Sequence, residues 1–161
     1  MKAVIQRVVN ACVTAEQIEK GRINSGLLVY LGVGQDDSEK DADWLAEKIS
    51  GFRIFNDSDG KMNLSIKDLI NSNKKADIIG VLVISQFTLF ADTKKGKRPS
   101  WNGAAPPEKA KKLYEYFIES IKKHDLICAS GEFQAHMKVT YTNDGPVTVI
   151  IDTKEKPSLF N

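Results

Sequence analysis

Residues 2–9 (KAVIQRVV) are dense in Val and Ile, and 27–33 (LLVYLGV) and 78–84 (IIGVLVI) are nearly continuous apolar runs bounded by Gly or polar clusters. Runs of this length predict strands, the latter two buried on both faces. From 133 to 142 the pattern alternates. Phe133, Ala135, Met137, Val139 and Tyr141 interleave with Gln134, His136, Lys138, Thr140 and Thr142. That period of two predicts a half-buried strand, with VTVIID at 147–152 as its neighbour. Helical spacing occurs twice. Ser38-Glu39-Lys40-Asp41 resembles a capping box, Ala42, Leu45, Ala46 and Ile49 follow at helical intervals, and Ser50-Gly51 ends the run. Pro106-Pro107 opens a second helix, whose Ala110, Leu113, Tyr114, Phe117, Ile118 and Ile121 form one apolar stripe. Strands at both ends with helices between them predict a mixed α/β (α+β) fold. A single domain over 1–161 is expected, with a curled, barrel-like sheet flanked by helices.

Composition narrows the function classes. The chain has 161 residues, and 23 Lys+Arg against 21 Asp+Glu leave a formal charge of +2. Bulk charge therefore does not mark a protein that coats nucleic acid, and any such contact needs a local patch. Cys12 and Cys128 offer neither a disulfide framework nor metal-ligand spacing, and buried, inert thiols are expected. MKAVIQRVV lacks the apolar core of a signal peptide, and no run approaches the ~18 apolar residues of a membrane span. A cytoplasmic location is the default expectation.

The usual catalytic devices are weak here. Ser85 lies in Ile84-Ser85-Gln86-Phe87, without the GxSxG of a nucleophile elbow. Ser85, His136 and Asp92 could be assembled into a triad only on paper. His124 suits a helix C-terminus, and His136 falls on the polar side of the alternating strand. Asn56-Asp57-Ser58-Asp59-Gly60 is similar to a calcium loop but lacks the closing Glu, so a tight strand-connecting turn is the better account. No GxGxxG or Walker motif is present, and no cofactor or metal is expected.

Three segments go beyond what folding requires. Ser85-Gln86-Phe87-Thr88-Leu89-Phe90 puts polar groups at the mouth of an apolar strand, where backbone N–H groups and hydroxyls can surround an oxyanion. A capped strand end would also explain it. Thr93-Lys94-Lys95-Gly96-Lys97-Arg98-Pro99-Ser100-Trp101 combines four cations, a flexible Gly and an aromatic. It suits phosphate contact and base stacking, or else an ordinary solvated loop. Asn143-Asp144-Gly145-Pro146-Val147-Thr148 reads as a turn joining two strands, and the X–Pro isomer stays open. An RNA-binding module without catalysis and a Ser-dependent esterase both remain possible on these residues alone.

In order and spacing these segments, from MKAVIQRV through SQFTLFAD and KKGKRPSW…AAPPEKA to NDGPVTVIIDT, resemble the D-aminoacyl-tRNA deacylase family, also called D-Tyr-tRNA deacylases. The resemblance covers essentially the whole chain. It implies hydrolysis of the ester between a D-amino acid and the terminal adenosine of tRNA, by a homodimer with active sites at the interface. It implies catalytic roles for Ser85, Gln86, Phe87 and Thr88, with backbone amides near Phe87 and Thr88 as oxyanion donors. Gly145-Pro146 would be cis and enter the partner's pocket, fixed by Arg7. Phe133, Ala135 and Met137 match a GxFxAxM stretch and would wall the pocket. Lys94, Lys95, Lys97 and Arg98 would meet tRNA phosphates. The chain departs from the family at Trp101, where Phe is frequent, which leaves the stacking role of that position open.

Overall fold

The computed structural model describes residues 1–72, 78–94, 96–155 and 157. A long strand β1 (Lys2–Ala15) is followed by β2 (Ile18–Ile23), β3 (Ser25–Gly32), helix α1 (Glu39–Ser50), and the short pair β4 (Phe55–Asn56) and β5 (Met62–Leu64). Helix α2 (Ile66–Ser72), β6 (Ile79–Ser85), a 3-10 turn (Phe87–Phe90), α3 (Pro107–Lys122), β7 (Ile127–Ser130) and β8 (Met137–Asp152) complete the order, with a final 3-10 turn at Thr153–Glu155. β1 holds β8 along one edge and β3, then β2, along the other, all antiparallel. β3, β6 and β7 run parallel. The sheet curls until β2 lies against β7: a Cβ added to Gly21 would stand 2.7 Å from the Ser130 carbonyl oxygen. The result is the expected mixed α/β fold, a nearly closed barrel-like sheet with flanking helices.

Two apolar layers follow from the curl. On the outer face Ala42, Leu45 and Ile49 of α1 and Leu113, Phe117 and Ile121 of α3 pack on Ala3, Ile5, Val29 and Val81. Inside the curl lie Val8, Ala11, Val13, Ile23, Leu28, Leu82 and Ile84. β1 supplies both layers. Its odd positions Ala3 and Ile5 face the helices, and a register shift between Val8 and Asn10 sends the odd positions Ala11 and Val13 to the other side.

Both anticipated helices form where the spacing placed them. Ser38 N–H and Oγ–H donate to Asp41 Oδ2 at 2.8 and 2.7 Å, the reciprocal half of the capping box. Asp57 Oδ1 accepts from the N–H groups of Asp59 and Lys61, and Gly60 takes φ 76°, which makes the β4–β5 connection the tight turn expected.

The C-terminal part of the chain departs from the two neighbouring strands that its pattern predicts. Residues 133–136 lie outside any strand, and 137–142 and 147–152 do not pair with each other. They belong to the single strand β8, and both halves pair with β1. Asn143–Thr148 is therefore an interruption within one strand, not a turn between two. The β2 and β7 strands, α2 and the 3-10 turns carry little local signal and were not anticipated. Both cysteines are half-buried rather than buried, and burial pushes the Cys128 thiol up to about 12. No helix of the described residues is long and apolar enough to cross a membrane.

The chain start is tied into the core. The fully buried Met1 ammonium lies 2.6 Å from Asp37 Oδ1 and also donates to Thr153 Oγ1, while Asp37 Oδ2 accepts from Gly34 N–H at 2.5 Å. Removing one partner of a buried pair strands the other charge. Asp37→Ala is expected to lower the free energy of unfolding by roughly 3–5 kcal/mol, read from urea denaturation at neutral pH.

Candidate active site

Parallel strands β3 and β6 end side by side, with Leu31 in register with Ser85. The chain cannot continue the ladder there. Gln86 N–H makes a last bond to Leu31 O at 2.8 Å, and the backbone turns into the 3-10 turn Phe87–Phe90. A cleft of about 670 Å³ opens beyond these strand ends. Its apolar floor includes Leu31, Val33, Ile84 and Tyr114; Ser85, Gln86 and Phe87 form one wall, and Phe133 to Met137 the other. Trp101 stands at the mouth, edge-on to Phe87 with ring centroids 5.6 Å apart. Tyr114 donates its hydroxyl to Val83 O at 2.9 Å, and burial raises its pKa far above the ordinary tyrosine value, so it serves the floor as a neutral group.

Two segments separated by almost fifty residues thus share one cleft, an arrangement that the family resemblance implies and that their composition does not carry. Thr88 does not line it; its Oγ1 accepts from Gln86 Nε2 and braces the turn. His136, assigned above to a strand's polar side, is instead an exposed cleft residue in the irregular approach to β8. Ser85 and His136 make no hydrogen bond to each other among the described residues. Gln134, also on the cleft, takes φ 65°, a left-handed conformation that side chains with a Cβ resist. The alternation around it gave no warning, because φ leaves no mark on hydropathy. Among the described residues no group of three or more His, Cys, Asp or Glu side chains is arranged to hold a metal.

The interruption in β8 is a large bulge. Gln6 faces Thr148 and Val8 faces Asn143, so residues 144–147 have no partner on β1 and loop outward. Asn143 Oδ1 closes the loop by accepting from Val147 N–H at 3.1 Å. The buried Arg7 guanidinium underlies it. Nη1 donates to Ile54 O at 2.7 Å and Asn56 Oδ1 at 3.2 Å, and Nε lies 2.8 Å from Asp144 Oδ2 in an ion pair. Gly145 has φ 117°, a conformation open to glycine, and the Gly145–Pro146 bond is cis. Both residues are exposed, and neither lines the cleft of its own chain.

The cationic segment is the tip of a hairpin. Asp92 and Ser100 exchange backbone bonds of 2.7 and 3.1 Å, and Asp92 Oδ1 accepts from Lys94 N–H at 2.9 Å. Lys94, Lys97 and Arg98 are exposed on this tip, whereas Lys95 lies outside the described residues. The contact between Phe87 and Trp101, one before the hairpin and one after it, sets its base at the cleft mouth.

A deep apolar cleft with polar groups at the ends of parallel strands is the setting of an enzyme site. The family model for D-Tyr-tRNA(Tyr) deacylase matches residues 4–152. D-aminoacyl-tRNA deacylases of Thermotoga petrophila and Koribacter versatilis are each 53% identical, over 96% and 97% of this chain and 99% of each relative. A solved structure of a c-Myc DNA unwinding element binding protein superposes with a TM-score of 0.83 at 35% identity, covering 98% of this chain and all of that one. A probable eukaryotic D-amino acid tRNA deacylase shares the fold with a TM-score of 0.76 at 14% identity, covering 93% of this chain and 97% of that one. The chain belongs to the D-aminoacyl-tRNA deacylase family, and it is an enzyme of that family.

The left-handed backbone at Gln134 costs about 1–2 kcal/mol for a residue with a Cβ. Gln134→Gly relieves it, while glycine's freer unfolded chain takes part of the gain back. The variant is expected to unfold at the same or a slightly higher denaturant midpoint, by up to about 1 kcal/mol, whereas a clear loss of stability would show that the conformation carries no strain.

Proposed function

We propose that this enzyme hydrolyses the ester joining a D-amino acid to the 3′-terminal adenosine of tRNA, working as a homodimer in which each cleft is completed by the other copy. The observation that carries the reading is a separation. Ser85–Phe87 and Phe133–Met137 wall one cleft, while Gly145-Pro146 lies outside that cleft on a bulge of the same chain anchored by buried Arg7. A second copy brings the missing segment to the cleft. Exposed apolar surface suits such pairing: Ile150 on β8 is 76% and Phe87 at the cleft 58% exposed, and among the described residues β8 pairs only with β1.

In this reading the amino acid enters beside Ser85, Gln86 and Phe87, with Phe133, Ala135 and Met137 opposite. The N–H groups that open the 3-10 turn, at Phe87 and Thr88, have no acceptor within the turn and stabilise the oxyanion as water attacks the ester carbonyl. The tRNA 2′-hydroxyl assists proton movement, which suits a cleft whose Ser85 and His136 are not hydrogen-bonded to each other. The Gly145 and Pro146 carbonyls of the other copy hold the α-amino group. Their bulk leaves no room for an L side chain, so selection works by exclusion. Glycine passes such a filter, and glycyl-tRNA is a second substrate. Lys94, Lys95, Lys97 and Arg98 contact phosphates near the acceptor end. The setting is translation quality control in the cytoplasm.

Incubation with D-Tyr-tRNA and with L-Tyr-tRNA tests the reading: only the D ester should disappear, whereas binding without turnover of either would make the protein an RNA-binding module. Ser85→Ala should keep a substantial rate, because a lost serine nucleophile costs roughly a million-fold and a lost wall residue far less. Replacing Lys94, Lys97 and Arg98 together by Ala should weaken tRNA binding and flatten its salt dependence by about 0.7–0.9 per phosphate contact removed. An unaltered slope would return the loop to ordinary surface.

A further inference from the structure

The strand end that floors the cleft and the segment that follows Trp101 meet on one aromatic ring, Phe90. Leu31 and Val33 line the cleft, and Gly32 and Gly34 alternate with them on the opposite face. A Cβ built on Gly34 would stand 2.9 Å from both Cε1 and Cζ of Phe90, and one on Gly32 would stand 3.1 Å from Cε2. The third approach comes from the segment that carries Trp101: a Cβ on Gly103 would lie 3.4 Å from Phe90 Cδ1. Lys2 Nζ lies over the ring, 5.2 Å from its centroid, so a cation adds to the packing. Gly32 also lets the turn itself settle on β3, since its Cβ would be 3.0 Å from Gln86 O and 3.2 Å from Leu89 Cβ.

We propose that Phe90 is a positioning residue for hydrolysis. Its ring is lodged among Gly32, Gly34 and Gly103, and it fixes the Ser85–Phe87 wall against β3 and the Trp101 segment. Phe90 is half-buried and does not line the cleft, so it acts through the wall it anchors. The physical reason is size. Side chains at Gly32 and Gly34 would intrude on the seat, and a side chain smaller than a phenyl ring would leave it partly empty. The 3-10 turn is a single turn of four residues with little cohesion of its own, so its placement has to come from such an anchor. The proposal rests on the deacylase reading above.

The test approaches the contact from both sides, in steady-state hydrolysis of D-Tyr-tRNA run well below each variant's melting temperature. Phe90→Ala should lower kcat by roughly tenfold or more with KM little changed, the scale on which misplaced reacting groups lose rate. Gly34→Ala should do the same by pushing the ring out. The pair Gly34→Ala with Phe90→Leu should recover much of the rate lost in Gly34→Ala alone, because the smaller side chain makes room for the new methyl group. Wild-type kcat in both single variants would overturn the proposal, and so would strictly additive losses in the pair or a loss confined to KM. If the unmodified enzyme leaves D-Tyr-tRNA intact, the deacylase reading falls and this one with it. Turnover by the unmodified enzyme together with indifferent variants would remove only the role of Phe90.

Discussion

A buried guanidinium organises this molecule. Arg7 sits in the middle of β1 where the strand changes face, and at 6% exposure it has lost nearly all contact with water. A charge in that position is tolerable only with an opposite charge and acceptors close by. The partners come from three distant stretches: the Ile54 carbonyl, the Asn56 amide and the Asp144 carboxylate. Meeting that requirement draws the β4 region under the sheet and pulls the start of the β8 bulge inward at Asp144. The rest of the bulge is thereby displayed as a defined projection. A flat β8 in continuous register would leave Arg7 without its carboxylate and Gly145-Pro146 without a fixed direction.

At the other end of the sheet a different constraint builds the cleft. Two parallel strands stop together, and their last carbonyls and amides need new partners. The chain resolves this by turning into one 3-10 turn after Gln86, which presents polar main chain at the edge of an apolar floor. Close packing then depends on absent side chains. Gly32 and Gly34 admit the Phe90 ring where a Cβ would crowd it, and Gly103 lies alongside. Gly34 is also held by Asp37, whose other oxygen takes the Met1 ammonium, so the back of the cleft is continuous with the anchored chain start.

Much of this was legible in the chain. The apolar runs at 27–33 and 78–84 became β3 and β6 almost residue for residue, and the capping box and Pro107 marked the starts of α1 and α3. Ser85-Gln86-Phe87 and Phe133, Ala135 and Met137, which the family resemblance names, line one cleft, although nothing in their local pattern brings them together. The alternation at 133–142 misled, because its first four residues follow the period without entering a ladder. Asn-Asp-Gly-Pro misled in another way: its composition is that of a turn, and a bulge uses the same residues for the same backbone reasons.

The sequence by itself determined the start of β1, the strands β3 and β6, the helices α1 and α3, and the family. Each rests on short-range information: periodicity, capping, and the order of a few motifs. Tertiary structure alone decided that 137–152 is one strand, that Lys2 pairs with Asp152 at one end and Ala15 with Met137 at the other, and that the register slips beside Arg7. It also decided that a half-buried phenylalanine behind the cleft is seated among three glycines. These outcomes depend on pairing and packing between residues far apart in the chain, and hydropathy along a segment carries no record of which distant edge or cavity will receive it.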